Sequence, residues 1–165
     1  MIKCPNCGFE IHTPINYNDK IARNFIFGES WSTKVVNRVE YRRKIKPTIE
    51  YIPRVLIGAS FVQNVRDRLN EIYSNNPAIG PRNSLNEIIL LVASWWRTYE
   101  FQRWLFDTKQ STTFTGQHPQ GLAIDLYTPR GMNSVQFRDF IRDKCNTGFT
   151  NYITYAWGVH NGFKV

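Results

Sequence analysis

Apolar residues recur every three or four positions in SFVQNVRDRLNEIY, which puts Phe61, Val65, Leu69 and Ile72 on one stripe and predicts an amphipathic helix opening at Ser60. Ser60 and Gln63 have the spacing of a capping box, and SNNPAIGPRN supplies the turn residues to end the helix. Helical spacing returns at Phe101, Trp104 and Leu105 in TYEFQRWLFD. It returns again in NSVQFRDFIRDKC, a capped segment whose apolar side is Val135, Phe137, Phe140 and Ile141. Between these, EIILLVASWW is a short apolar run bounded by turn signals and reads as a buried strand, with a helix as the other reading. GLAIDLYT alternates, with Leu122, Ile124 and Leu126 on one face and Ala123, Asp125 and Tyr127 on the other, so Asp125 has the small Ala123 beside it. The aromatic and β-branched residues of NYITYAWGVHNGFKV suit two short strands broken near Trp157 and Gly158.

A chain of 165 residues with 42% hydrophobic and 15% aromatic residues has material for one core, which argues against a second full domain and against disorder. Residues 1–20 read as a small separate element and 21–165 as the main domain. The net charge of +8 favours a polyanionic partner: nucleic acid, an anionic membrane face or acidic cell-wall polymers. The basic residues concentrate in KVVNRVEYRRKIKP, residues 34–47, which reads as a solvated face. Recognition of nucleic acid would need groove-reading or aromatic elements that the sequence does not show, so nucleic acid is not an expected partner. No apolar stretch has transmembrane length, and MIKCPNCGFEIH lacks the apolar core of a signal peptide. The expectation is therefore no membrane span and a product that stays where it is made unless released.

Three cysteines, an odd number, argue for a reducing compartment over a disulfide framework. Cys4 and Cys7 in CPNCG have the shape of one half of a zinc ribbon and form a candidate second metal site. Completing it would take His12 with Cys145, or a second copy of the chain; the alternative is a local turn without metal.

The segment GQHPQGLAIDLYTP sets His118 seven residues ahead of Asp125, the first just before a predicted strand and the second on it. His160 lies on a later strand able to pair alongside. Two histidines and a carboxylate are a catalytic zinc set that leaves one position for water. Spacing alone leaves open the other reading, of unrelated polar residues near a strand.

HPQGLAIDL resembles the HxxGxAxD signature of the zinc D-alanyl-D-alanine peptidases, with His118, Gly121, Ala123 and Asp125 at the four positions. ASWWRTYEFQ looks like that family's SGYRSPEVN segment through Ser94, Arg97, Glu100 and, more loosely, Gln102. NFIFGES followed by the VRDRLN helix is similar to the opening of the phage-rich branch, and order and spacing agree over residues 21–165. The resemblance implies an α+β fold of the Hedgehog/DD-peptidase type, a small, mostly antiparallel central sheet with helices packed on it. It also implies Zn2+ held by His118, Asp125 and His160. Arg97 would pair with a substrate carboxylate or a developing oxyanion, its alternative being a surface ion pair with Glu100 or Asp107. Ser94 would orient substrate, Gln117 and Thr115 would support the first ligand, and Trp95, Trp96 and Trp157 would either wall the cleft or join the core.

The family's pattern places an acidic general base three residues before the third ligand, where this chain has Trp157, and an acid after it, where this chain has Gly162. Neither moves a proton. Glu100, Asp139 and Asp143 are the candidates to replace them. Two classes of function follow. One is a zinc metallopeptidase of the carboxypeptidase or endolysin type, acting on peptidoglycan stem peptides, phage-encoded, and found in the host cytoplasm or on the virion, with anionic wall polymers as further partners. The other is a catalytically impaired peptidase-fold module that binds the wall or neighbouring virion subunits.

Overall fold

The computed structural model describes residues 1–3, 8, 10–11 and 16–165, and the chain is an α+β protein. Cys4 and Cys7, the candidate second metal site, and His12 lie outside the described residues. Strands β1 (Ile2–Lys3) and β2 (Glu10–Ile11) form a hairpin, and Ile2 packs against the main core. A second hairpin, β3 (Lys20–Ala22) with β4 (Phe25–Ile26), leads into a 3-10 turn at Phe27–Ser30. The basic run falls on a third hairpin, β5 (Ser32–Val36) with β6 (Val39–Ile45). Asn37 and Arg38 both take positive φ at its two-residue turn, as such tight hairpins require.

Helix α1 spans Ile52–Tyr73 and so begins eight residues before the expected start. Pro53 fits the first turn, where its missing N–H costs nothing. Ile52, Val55, Leu56 and Ala59 continue the buried stripe of Val62, Val65 and Leu69 back toward the N-terminus. Burying each large member of that stripe contributes about 1.5–3 kcal/mol. Ser60 is therefore no cap: its hydroxyl donates to Ile57 O one turn back, at 2.7 Å. Gln63 reaches Asn24 and Asp67 instead of a helix terminus. Ile72, expected on the stripe, is 41% exposed.

The central sheet has the order β7–β8–β10–β9 and is antiparallel throughout, from Val92–Ser94, Ala123–Tyr127, Gly158–Phe163 and Phe149–Thr154. EIILLVASWW gives only the three-residue β7. Ile88 and Leu90 are buried in the preceding coil, where Asn70 of α1 holds the backbone of Ile88. Helix α2 (Tyr99–Asp107) is capped by Thr98, whose hydroxyl accepts from Phe101 N. Helix α3 (Ser134–Lys144) carries a reciprocal Asn133–Gln136 capping box and packs against β9 and β10. Phe137, Phe140 and Ile141 form its buried side, while Val135, on the first turn, is exposed.

Helix α1 lies close against the sheet at Gly58, where a Cβ would come within 2.8 Å of Ile124 Cδ1 and 2.9 Å of Trp95 Cζ2. That approach puts Ile124 and Leu126 into the core and leaves the opposite face of β8, with Asp125, for the site.

Candidate metal centre

Sheet register brings three side chains into one row. Asp125 on β8 stands directly opposite His160 on β10, and Ser94 on β7 pairs with Asp125 from the other side. Facing residues on adjacent strands bring their Cβ atoms to about 5 Å, so the pairing alone brings the carboxylate and one imidazole together. His118 arrives from the loop before β8. Its carbonyl accepts from Gly121 N at 3.0 Å and from Arg97 N at 3.3 Å, and Gln117 O accepts from Leu122 N at 2.8 Å, closing a tight turn. Gly121 has φ +71°, which a glycine takes without strain. This is the physical content of a glycine three residues after His118.

His118 Nε2 lies 3.1 Å from Asp125 Oδ1 and 3.2 Å from His160 Nδ1, and His160 Nδ1 lies 2.9 Å from the same carboxylate oxygen. All three side chains are buried. The other imidazole nitrogen of His118, Nδ1, is 2.6 Å from Trp95 O, an atom that only accepts, so Nδ1 carries the proton. In the neutral ring Nε2 is then a bare lone pair. Burial lowers the pKa of His118, with Asp125 opposing, and so favours that neutral form. Burial pushes the Asp125 carboxyl up, but contacts from His118, His160 and Arg97 outweigh it and hold the group below the usual carboxylate range. The lone pair of His118 Nε2 and the anionic Asp125 Oδ1 therefore face each other at 3.1 Å with no proton of their own between them. A cation resolves what hydrogen bonding cannot, and this buried group can hold a metal ion.

Arg97 is the support behind that group. Its Nη2 donates to Asp125 Oδ2 at 2.6 Å, Nε to Ser94 Oγ at 2.8 Å and Nη1 to Gln102 Oε1 at 3.2 Å. Buried Gln102 is itself fixed by donating to Ser111 Oγ and Thr113 O. The two oxygens of Asp125 thus face different partners, Oδ1 the imidazoles and Oδ2 the guanidinium. The alternative reading of Arg97, a surface pair with Glu100 or Asp107, does not hold, since Arg97 pairs with Asp125 and Asp107 pairs with Arg103. Gln117 and Thr115 do not take the supporting places expected of them. The Gln117 amide donates to Phe163 O and accepts from Asn151, and Thr115 is exposed. The partner of His118 is the main chain of Trp95, and a backbone carbonyl leaves no mark in a sequence pattern.

A cleft of about 530 Å³ opens on the Asp125 side of the group, the one of the three that lines it, together with Ser94, Trp96, Arg97, Trp157 and Glu29 among others. Trp95 belongs to the core. The ring of Trp157 stacks on Tyr155 at 5.1 Å and tilts against Tyr127 at 5.4 Å, which makes an aromatic wall of the place where a proton carrier was missing. Glu100 faces a separate groove between the β5–β6 hairpin and α2. Asp139 and Asp143 pair with arginines on α3. Glu29 and Glu40 line the cleft with Asp125, and both went unremarked in the sequence, because they sit far upstream and only folding brings them there.

No protein-family model, curated protein or solved structure matches this chain.

Proposed function

We propose that the protein is a zinc-dependent amide hydrolase acting on peptidoglycan stem peptides. The observation that carries this reading is the convergence of His118 Nε2, Asp125 Oδ1 and His160 Nδ1 within 2.9–3.2 Å at the edge of a polar cleft. Tetrahedral ligands at zinc's bond length of roughly 2.0–2.1 Å stand about 3.3 Å apart, so this triangle needs little adjustment, and two imidazoles with one carboxylate suit zinc. Bound there, zinc would polarise the scissile carbonyl and lower the pKa of a water toward neutrality.

The chain's own residues supply the rest. Trp95 O fixes the His118 tautomer, and Arg97 orients Asp125 while three of its five N–H donors are used within the site. The remaining donors are available to a substrate carboxylate or carbonyl oxygen. Trp157 and Tyr127 give the cleft an apolar wall against which a peptide excludes water. Incubating zinc-loaded protein with muropeptides and following products by mass spectrometry tests the reading. Zinc-dependent release lost in His118→Ala supports it, and no cleavage of any stem peptide by fully loaded protein contradicts it.

The second reading, a wall-binding or virion module without catalysis, draws on Trp157 standing where the resemblance calls for an acid. It predicts retention on intact sacculi without release of fragments.

A further inference from the structure

The hydrolase reading leaves one task without an owner: moving the proton of the attacking water to the leaving amine. Among the described residues the cleft carries three carboxylates, Asp125, Glu40 and Glu29. Asp125 is committed to the imidazoles and Arg97, and Glu40 is exposed on the β6 edge of its hairpin. Glu29 is half-buried in the 3-10 turn that packs against β7, the strand bearing Ser94. Its Oε2 accepts from Ile26 N at 2.7 Å, which fixes the carboxyl.

Resting on the hydrolase reading, we propose that Glu29 is the catalytic carboxylate of this cleft. Glu29 Oε1 accepts a proton as the water oxygen bonds to the scissile carbonyl carbon. It returns that proton to the amide nitrogen as the C–N bond breaks, so that the amine leaves neutral. The water's second proton remains on the new carboxyl group and is lost when the product acid ionises. No oxidant or co-reactant enters the balance. The charged and titratable groups that line the cleft with Glu29 are Tyr17, Glu40, Lys44, Arg97, Asp125 and Tyr127, with Lys20 acting from β3. Burial raises the Glu29 pKa against the opposing effects of the Ile26 N–H and Lys20, the direction that suits a group exchanging protons near neutral pH.

Glu29→Gln separates this role from simple capping, because a glutamine oxygen still accepts from Ile26 N while the amide carries no exchangeable proton of that kind. The expected result is a fall in kcat of about 10²- to 10⁴-fold with unchanged metal content and thermal midpoint, partly restored in Glu29→Asp. A second readout needs no activity. In metal-free protein labelled with 13C at glutamate side chains, the carboxyl resonance missing from Glu29→Gln titrates above the ordinary glutamate range. Wild-type kcat in Glu29→Gln, or a Glu29 carboxyl titrating at or below the ordinary value, overturns the assignment while leaving the hydrolase reading intact. A fully metal-loaded wild type that cleaves no stem peptide overturns both.

Discussion

At the scale of single residues, the site depends on groups that do not touch the metal position. Arg97 holds Asp125 Oδ2, so Arg97→Met leaves a buried carboxylate with one oxygen unpaired. Metal affinity is expected to fall about 10- to 100-fold, the usual effect of removing an outer partner of a ligand, as read by competition with a chromophoric chelator. Cys145 gives an independent check on the packing around α3. Burial pushes its thiol pKa up to about 12, so at pH 8 only about one molecule in 10⁴ carries the thiolate. Iodoacetamide should label the Cys145 peptide far more slowly in the folded protein than in urea, as followed by mass spectrometry. Equal rates would contradict the described burial. The same residue scale shows what the sequence made legible. His118, Asp125 and His160 were singled out through the HxxGxAxD resemblance, since their spacing alone left unrelated polar residues as the other reading, and the described residues bring the three together. The Trp95 carbonyl and Glu29 were not legible, because one is main chain and the other reaches the cleft only through tertiary packing.

At the scale of elements, the alternation of GLAIDLYT placed β8 and the aromatic and β-branched residues of the tail placed β9 and β10, although β10 is buried along its whole length and β8 on both faces up to Leu126. The start of α1 was misplaced because Ser60 and Gln63 have the spacing of a capping box inside what is one continuous helix. Pro53 is tolerated in the first turn, and Gly58 is the point of closest approach between helix and sheet. Gly58→Ala therefore tests the contact. Better helix propensity would add about 1 kcal/mol, whereas a methyl 2.8 Å from Ile124 Cδ1 and 2.9 Å from Trp95 Cζ2 forces a shift costing about 1–3 kcal/mol. Net destabilisation in urea unfolding is expected, and because Trp95 O anchors His118, weaker metal binding should accompany it. Stabilisation would show that the helix does not press on the sheet there.

At the scale of the whole molecule, the net charge of +8 and the basic β5–β6 hairpin favour a polyanionic partner, and Glu40 and Lys44 of that hairpin also line the cleft. No helix among the described residues is long and apolar enough to cross a membrane. Binding to sacculi bearing acidic polymers should weaken steadily as salt is raised past 0.1 M, where the screening length is about 10 Å, in co-sedimentation assays. Salt-independent binding would point to the aromatic wall instead. The α+β architecture matters to function through a single arrangement: four antiparallel strands bring Ser94, Asp125 and His160 into a row, and the turn before β8 adds His118. The central claim is that this row exists to hold a metal. Its most direct test is metal content per chain, measured by elemental analysis of purified wild-type protein and of His118→Ala. The account predicts about one zinc ion in the wild type and its loss in the variant. A wild type that takes up no metal, or a variant that keeps it, would contradict the account.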